Sequence, residues 1–137
     1  MTAPGATTAA LPVAIKACRI LIVDDEEMVA MSLRRLMRPH DTSACSSGKE
    51  AVELFCAEPC PFDLMFCDLS MPGFGGIEVY NAIRSRRPGL EARIVFMTGG
   101  AFTSQIEDFL DSGSYRCLDK PFNRKQVLDL IEAVSRG

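Results

Sequence analysis

The chain alternates short, wholly apolar runs with longer segments in which apolar residues recur every three or four positions. The clearest runs are residues 20–23, 64–67 and 94–97, and a weaker run lies at 115–118. Short continuous apolar runs between helical patterns are typical of parallel strands that are buried on both faces. The pattern therefore predicts an α/β fold, with five parallel strands in one open sheet and helices on both of its faces.

The segments between these runs predict the individual elements. Strands are predicted over residues 18–23, 41–46, 63–68, 92–97 and 115–119. Helices are predicted over residues 26–38, 47–57, from the glycine-containing loop at 72–76 to residue 87, over 103–111, and over the C-terminal segment. Pro39 and Gly113 are expected to end the first and fourth helices, and Ser47 to cap the second. Crossovers between the parallel strands are expected to be right-handed.

Polar residues that can bind a metal or a phosphoryl group lie at the ends of four of the five predicted strands. Asp24 and Asp25 follow the first predicted strand, and Asp68, Thr98 and Lys120 lie at the ends of the third, fourth and fifth. In an open parallel sheet, ligands bind beyond the carboxyl ends of the strands. We therefore expect three carboxylates, a hydroxyl and an ammonium group to converge on one edge of the fold, where they could handle phosphate together with a divalent cation.

The three carboxylates predict a metal site. Asp24, Asp25 and Asp68 would repel one another and raise their own pKa values unless a cation lay between them. Oxygen ligands without a cluster of His or Cys favour a hard cation, and Mg²⁺ is the natural candidate. The alternative, that Asp24 and Asp25 only cap the following helix, leaves the polar residues at the other strand ends unexplained.

The remaining strand-end residues suit a phosphoryl group. A carboxylate such as Asp68 can attack phosphorus and hold a phosphoryl group as an acyl phosphate, provided that the charges are neutralised. Lys120 can supply a positive charge and Thr98 a hydroxyl hydrogen bond. Pro121 is expected to fix how Lys120 projects, and a cis peptide bond is one way of doing so.

Composition narrows the class of protein. The chain has 137 residues, 15 basic and 18 acidic, with a net charge of -3. The acidic balance argues against direct nucleic-acid binding, and no apolar stretch approaches the ~18 residues that span a membrane. The six cysteines contain no C-x-x-C pair, so reduced structural thiols and a cytoplasmic location are expected. Residues 1–16, rich in Ala, Thr and Pro, predict a flexible tail or linker before a domain over 17–137.

With these motifs in order, the chain resembles the receiver domains of bacterial two-component response regulators. The matching pieces are ILIVDDE, FDLMFCDLSMPGFGG, IVFMTGG and LDKPF. They extend over residues 18–136, and the resemblance implies the (βα)5 flavodoxin-like receiver fold.

The resemblance also implies roles for the site residues. Asp68 would accept a phosphoryl group from a phosphohistidine on a histidine kinase or a histidine phosphotransfer protein. Asp25, Asp68 and the backbone carbonyl of Ser70 would hold Mg²⁺, with Asp24 acting through a bound water. Thr98 and Lys120 would contact the phosphoryl group and pass the signal to the face formed by the fourth helix, the fifth strand and the last helix. A monomer or a weak phosphorylation-dependent dimer is expected.

The match departs from the family pattern at one position. Receivers usually carry Tyr or Phe three residues before the lysine of the fifth strand, where this chain has Cys117. Tyr115, two residues earlier, would face the same side of a strand and could partly substitute. We therefore expect output to run through repositioning of residues 98–102.

Other readings of the same residues remain. A haloacid dehalogenase-type phosphatase needs a second Asp two residues after the first, where this chain has Ser70. A dinucleotide-binding unit would need G-x-G-x-x-G after the first strand. A degenerate receiver that only mediates protein contacts is the alternative within the favoured class. A stand-alone regulator and the C-terminal receiver of a hybrid histidine kinase both remain compatible with the sequence, and the resemblance describes a signalling domain rather than an enzyme.

Overall fold

In a computed structural model, which describes residues 17–99 and 103–136, five strands form one sheet in which every neighbouring pair is parallel. The strands are β1 (Arg19–Val23), β2 (Asp41–Cys45), β3 (Leu64–Asp68), β4 (Ile94–Thr98) and β5 (Arg116–Asp119). Their order across the sheet is β2-β1-β3-β4-β5. The prediction of a five-stranded parallel α/β fold is confirmed. The predicted tail, residues 1–16, lies outside the described residues.

Helices cover both faces of the sheet, as predicted. They are α1 (Glu27–Leu36), α2 (Gly48–Phe55), α3 (Gly76–Arg86), α4 (Ser104–Asp111) and α5 (Arg124–Arg136). On one face, alternate strand residues such as Ile20 and Phe66 pack with Leu33 of α1 and Ile131 of α5. The opposite face packs against α2, α3 and Ile106 of α4. The three central strands β1, β3 and β4 are therefore buried on both sides, which explains their continuous apolar runs, whereas the edge strands β2 and β5 are largely exposed.

Three predicted boundaries are wrong by two residues, and one of them is the end of the second helix, which lies at Phe55 rather than at residue 57. The first helix ends at Leu36 rather than at residue 38, because a residue that precedes a proline, here Arg38, is disfavoured in the helical region. The fourth strand begins at Ile94 rather than at residue 92. Leu90–Arg93 instead form a 3-10 turn, which begins after Gly89, whose φ of 104° suits glycine.

Helix ends follow local capping chemistry. Ser47 caps α2 as predicted, because its hydroxyl accepts a hydrogen bond from the Glu50 N–H at 3.3 Å. Gly113 directly follows the C-cap residue of α4, as predicted for a glycine that ends a helix. Ser112 is the C-cap residue, and its hydroxyl donates to the carbonyl of Phe109 at 2.6 Å. Gly113 also leaves room for the ring of Tyr115, which a β-carbon there would meet at 3.2 Å.

The strand order places two carboxyl ends side by side. β1 is paired with β3 in a register that joins Val23 to Cys67, so the residues that follow Val23 lie next to Asp68. β4 lies on the other side of β3, and β5 follows it. In the part of the chain that the structure describes, no helix is long and apolar enough to cross a membrane.

Candidate functional site: an acidic cluster at the carboxyl edge of the sheet

Three carboxylates meet where β1 and β3 end. One oxygen from each of Asp24, Asp25 and Asp68 can be chosen so that all three lie within 4.8 Å of one another. Asp24 and Asp68 are buried, with 2% and 4% of their surfaces exposed, whereas Asp25 is exposed. The cluster therefore has two inward carboxylates and one on the solvent side, which leaves an approach from outside.

The backbone after each strand fixes the two buried carboxylates. Asp24 Oδ1 accepts a hydrogen bond from the N–H of Glu26 at 2.8 Å. Asp68 Oδ1 accepts one from the N–H of Ser70 at 3.0 Å. Both are turns in which an Asp side chain bonds to the backbone two residues on. Each carboxylate thus has one oxygen tied to its own loop and one, Oδ2, that faces the partner elements.

Lys120 connects these two free oxygens. Its Nζ lies 3.1 Å from Asp24 Oδ2 and 3.3 Å from Asp68 Oδ2, and its side chain is 18% exposed. Its backbone N–H donates to the carbonyl of Thr98 at 2.8 Å, which anchors the end of β5 to β4. The Lys120–Pro121 peptide bond is cis, as the sequence allowed. A single ammonium group thus bridges carboxylates that come from two strands.

Burial and charge set the protonation of this group. Burial raises the pKa of Asp24, and the bonds from Glu26 and Lys120 offset only part of that effect. Burial on its own lowers the pKa of Lys120, but the bond to Asp24 and the charge of Asp68 outweigh it and raise the pKa. Lys120 therefore stays charged at neutral pH, and the Asp24 side of the site gains from any further cation.

The donor set fits a hard divalent cation. The three side chains offer only carboxylate oxygens, which suit Mg²⁺ better than zinc or copper. Lys120 already compensates part of their charge through the two Oδ2 atoms, whereas the Oδ1 atoms accept backbone hydrogen bonds. Glu26, which the sequence analysis took only as the start of a helix, adds Oε1 at 3.9 Å from Lys120 Nζ. Its place directly after two aspartates was the available signal.

Thr98 is buried at the end of β4, and its hydroxyl is bonded to a residue outside the cluster of Asp24, Asp25 and Asp68. Its Oγ1 donates a hydrogen bond of 2.8 Å to Oδ1 of Asp119, the facing residue on β5. The structure thus gathers Asp24, Asp25, Asp68 and Lys120, and it places the Thr98 hydroxyl on a partner that the sequence analysis did not assign. For Ser70 the structure shows the N–H contact to Asp68, and the metal role of its carbonyl stays a prediction.

Cys117 stands at the position where receiver domains usually carry Tyr or Phe. Cys117 is exposed on β5, opposite Phe96 of β4. The ring of Tyr115 stacks on Phe109 of α4 at 4.4 Å and lies 5.7 Å from Phe96. Tyr115 therefore lies on the same side of the sheet as Phe96 and Cys117, within a cluster that also contains Tyr80. Output was expected to run through residues 98–102, and because residues 100–102 lie outside the described residues, this stays a prediction.

Known proteins share this pattern. A family model for the response regulator receiver domain matches residues 20–132. The transcriptional regulatory protein PdtaR of Mycobacterium tuberculosis is 35% identical over 122 residues, which is 86% of this chain and 57% of that protein. The hybrid signal transduction histidine kinase A of Dictyostelium discoideum is 30% identical over 82% of this chain and 5% of its own length. The chain belongs to the response regulator receiver domain family of two-component systems. It spans about half the length of the first of these relatives.

Solved structures agree on the fold. A putative response regulator from Chloroflexus aurantiacus superposes with a TM-score of 0.74 at 24% identity, covering 89% of this chain and 100% of that one. The chemotaxis protein CheY4 of Vibrio cholerae superposes with a TM-score of 0.70 at 22% identity, covering 87% and 99%. At such identities these likenesses establish the flavodoxin-like receiver fold alone.

Proposed function

We propose that this domain accepts a phosphoryl group on Asp68, in a Mg²⁺-dependent reaction, from a phosphohistidine of a histidine kinase or a histidine phosphotransfer protein. The observation that carries the proposal is the bridge of Lys120 between two buried carboxylates, Asp24 and Asp68, next to the exposed Asp25. A structural ion pair would need one carboxylate, whereas this arrangement holds a surplus of negative charge beside a single cation. Such a surplus is useful where a metal and a phosphoryl group are to be bound.

The chemistry would take place at one oxygen of Asp68. That oxygen forms a bond to phosphorus while the phosphorus–nitrogen bond of the phosphohistidine breaks. The imidazole leaves with the bonding electron pair and takes up a proton from solvent. Because the transferred group carries charge on three oxygens, the task of the protein is mainly positioning and electrostatic stabilisation. Lys120 supplies a fixed positive charge at 3.3 Å from Asp68 Oδ2.

The metal would be held by Asp25 and Asp68, with the Ser70 carbonyl as a further ligand and Asp24 acting through water. When bound, Mg²⁺ neutralises the carboxylates and the incoming phosphoryl charge. The burial of Asp24 keeps its carboxylate fixed at the base of the site, and the Glu26 N–H holds its orientation. Thr98 would donate to a phosphoryl oxygen once its hydroxyl turns toward Asp68.

The partners and location follow from the same proposal. The donor would be a histidine kinase or phosphotransfer protein, and the signal would leave through the face formed by α4, β5 and α5. A monomer, or a weak dimer that forms on phosphorylation, accords with that use. All six cysteines are free thiols, and burial raises the pKa of Cys67 well above its ordinary value, which supports unreactive thiols in a cytoplasmic protein.

The direct test is incubation of the chain with Mg²⁺ and a small acyl phosphate, followed by intact mass spectrometry. We expect one added phosphoryl group that is labile to base, and none in Asp68→Asn. Asp129→Asn, which removes an exposed carboxylate of α5 that pairs with Lys125, should be phosphorylated like the wild type.

Two results would contradict the proposal. If neither the wild type nor Asp129→Asn gains a phosphoryl group, the degenerate receiver that only mediates protein contacts becomes the better reading. If Asp68→Asn gains as much phosphoryl group as the wild type, the acceptor lies elsewhere.

A further inference from the structure

Asp119 occupies the position that controls the Thr98 hydroxyl. Thr98 and Asp119 are register partners on the parallel strands β4 and β5, so their side chains leave the sheet on the same side. The hydroxyl donates to Asp119 Oδ1 at 2.8 Å. Thr98 is 4% exposed whereas Asp119 is exposed. A buried hydroxyl is thus held by a carboxylate whose other side faces water.

We propose that Asp119 is a positioning residue that holds the Thr98 hydroxyl away from Asp68 until a phosphoryl group is present to replace it. The inference rests on the proposed function, because it assigns Thr98 a phosphoryl oxygen as its second partner. A threonine hydroxyl has one proton and can donate one full hydrogen bond at a time. Asp119 and an aspartyl phosphate are both charged acceptors of the same kind, so they compete for that proton.

The exposure of Asp119 explains why a phosphoryl group can take its place as the acceptor of the Thr98 hydroxyl. When the bond is broken, the carboxylate of Asp119 is solvated by water, because it is exposed, and loses little. If Thr98 were held by a buried carboxylate, release would leave an uncompensated charge in the protein interior. The exposed position of Asp119 therefore makes the bond a reversible restraint rather than a fixed part of the core.

Thr98 and Asp119 lie on the side of the sheet that faces α4, so a change in their bond can be passed on to that helix. Phe96 and Thr98 alternate on one side of β4, and Cys117 and Asp119 face them from β5. Tyr115 and Phe109 extend this side to α4. The backbone bond from Lys120 N–H to the Thr98 carbonyl also links both strand ends. The Thr98–Asp119 bond therefore supplies a two-state contact on the side where Cys117 replaces the usual aromatic residue.

The test measures binding of a phosphoryl analogue, beryllium trifluoride, in the presence of Mg²⁺, by amide chemical shifts in NMR titrations. Removing the competing acceptor in Asp119→Ala should tighten the apparent affinity about two- to tenfold, the range set by the net value of one hydrogen bond. Asp119→Asn, which keeps a weaker neutral acceptor and the size of the side chain, should lie between the wild type and Asp119→Ala. Asp129→Asn should match the wild type.

The same Asp119→Ala substitution in a Thr98→Ala variant separates the loss of the hydroxyl bond from the loss of a negative charge. Loss of the Asp119 carboxylate would also favour an anion through reduced repulsion, and that effect would persist in Thr98→Ala. The proposal requires that Asp119→Ala tightens binding less in the Thr98→Ala background than in the wild type, and that the full tightening returns in the Thr98→Ser background. Equal tightening in both backgrounds, or no tightening in either, would overturn the proposal.

Failure of the proposed function gives a different pattern. In that case beryllium trifluoride and Mg²⁺ leave the amide shifts of the wild type unchanged, and the acyl phosphate adds no phosphoryl group to Asp68. If beryllium trifluoride changes the amide shifts of the wild type and all Asp119 variants bind it with the same affinity, the role of Asp119 is refuted while the proposed function stands. Far-ultraviolet circular dichroism of each variant confirms that the fold is retained before either comparison is made.

Discussion

Lys120 lies between two carboxylates that are themselves buried, with Nζ at 3.1 Å from Asp24 and 3.3 Å from Asp68. An exposed ion pair such as Lys125 with Asp129, whose side chains are 84% and 62% exposed, contributes little because water screens it. A buried pair behaves differently, since removal of one partner leaves a charge that water does not reach. At the residue scale, Lys120 is therefore the main compensating charge of the site when no metal is bound.

Lys120→Met should destabilise the chain in metal-free buffer by about 1–3 kcal/mol, less than for a fully buried pair because Lys120 is partly exposed. Saturating Mg²⁺ should recover much of this loss, because the metal takes over the role of compensating Asp24 and Asp68. Urea unfolding with and without Mg²⁺ measures both values. The matched variant Lys125→Met should cost less than about 1 kcal/mol in either buffer.

Equal destabilisation of Lys120→Met and Lys125→Met in metal-free buffer would show that Lys120 does not compensate buried charge. A loss in Lys120→Met that Mg²⁺ leaves unchanged would show that the lysine stabilises the fold by packing rather than by its charge.

At the scale of elements, one side chain joins the α1–β2 turn to the start of β1. His40 Nδ1 accepts a hydrogen bond from the backbone N–H of Cys18 at 2.9 Å, and the N–H of Asp41 donates to the Cys18 carbonyl at 2.9 Å. Burial lowers the pKa of His40 from its ordinary value of 6.5. A protonated Nδ1 would carry a hydrogen and could no longer accept the bond, so this bond requires the neutral imidazole.

This linkage predicts a pH dependence with a definite sign. The pKa of His40 is lower in the folded chain, so the unfolded chain binds more protons as the pH falls through 6.5. Its stabilising contribution is complete above that pH and is lost as the pH drops towards the lowered value. Between pH 7.5 and 5, we expect the wild type to lose about 1 kcal/mol more of its unfolding free energy than His40→Asn, whose amide oxygen can accept the same bond at any pH.

Chemical denaturation across this pH range makes the comparison, and His40 is the one histidine in the sequence. Parallel pH profiles for the wild type and His40→Asn would show that the imidazole does not have to be neutral. A steeper profile for the variant would reverse the sign of the argument.

At the scale of the whole molecule, the strand order decides which charges meet. β1 and β3 are neighbours although β2 lies between them in sequence, and this crossover brings Asp24 and Asp25 next to Asp68. The fold therefore brings together carboxylates that repel one another, and a bound cation should favour the folded chain over the unfolded one, in which the same residues are far apart.

Mg²⁺ at ten times its dissociation constant should thus raise the free energy of unfolding by about 1.4 kcal/mol. Asp25→Asn removes an exposed carboxylate of the cluster without opening the core, and it should lose most of this gain at the same Mg²⁺ concentration. Thermal unfolding with Mg²⁺, and with a chelator added afterwards, measures the shift and its reversal. Asp129→Asn should keep the gain of the wild type.

If the free energy of unfolding of the wild type does not rise as Mg²⁺ is titrated through the millimolar range, the cluster does not bind Mg²⁺ at those concentrations. An equal rise in Asp25→Asn would place the bound cation away from the cluster.

Some features of the fold and the site could be predicted from the sequence, and others could not. The apolar runs before Asp24 and Asp68 predicted their strands because burial on both faces requires continuous apolar residues, and Ser47 was found through local capping chemistry. Gly113 was correctly placed just after the end of α4, but the room that it leaves for the ring of Tyr115 was not predicted. The role of Asp119 was missed, since its partner Thr98 lies 21 residues away and on another strand.

The sequence by itself thus determined the class of fold, the strand ends and the set of polar residues that follow them, because each depends on patterns within one segment of chain. Only the tertiary structure decided which of those residues touch. It showed that Lys120 bridges Asp24 and Asp68, and that the Thr98 hydroxyl is bonded to Asp119. These contacts depend on strand order and register, which arise from packing between distant segments and which no local pattern specifies.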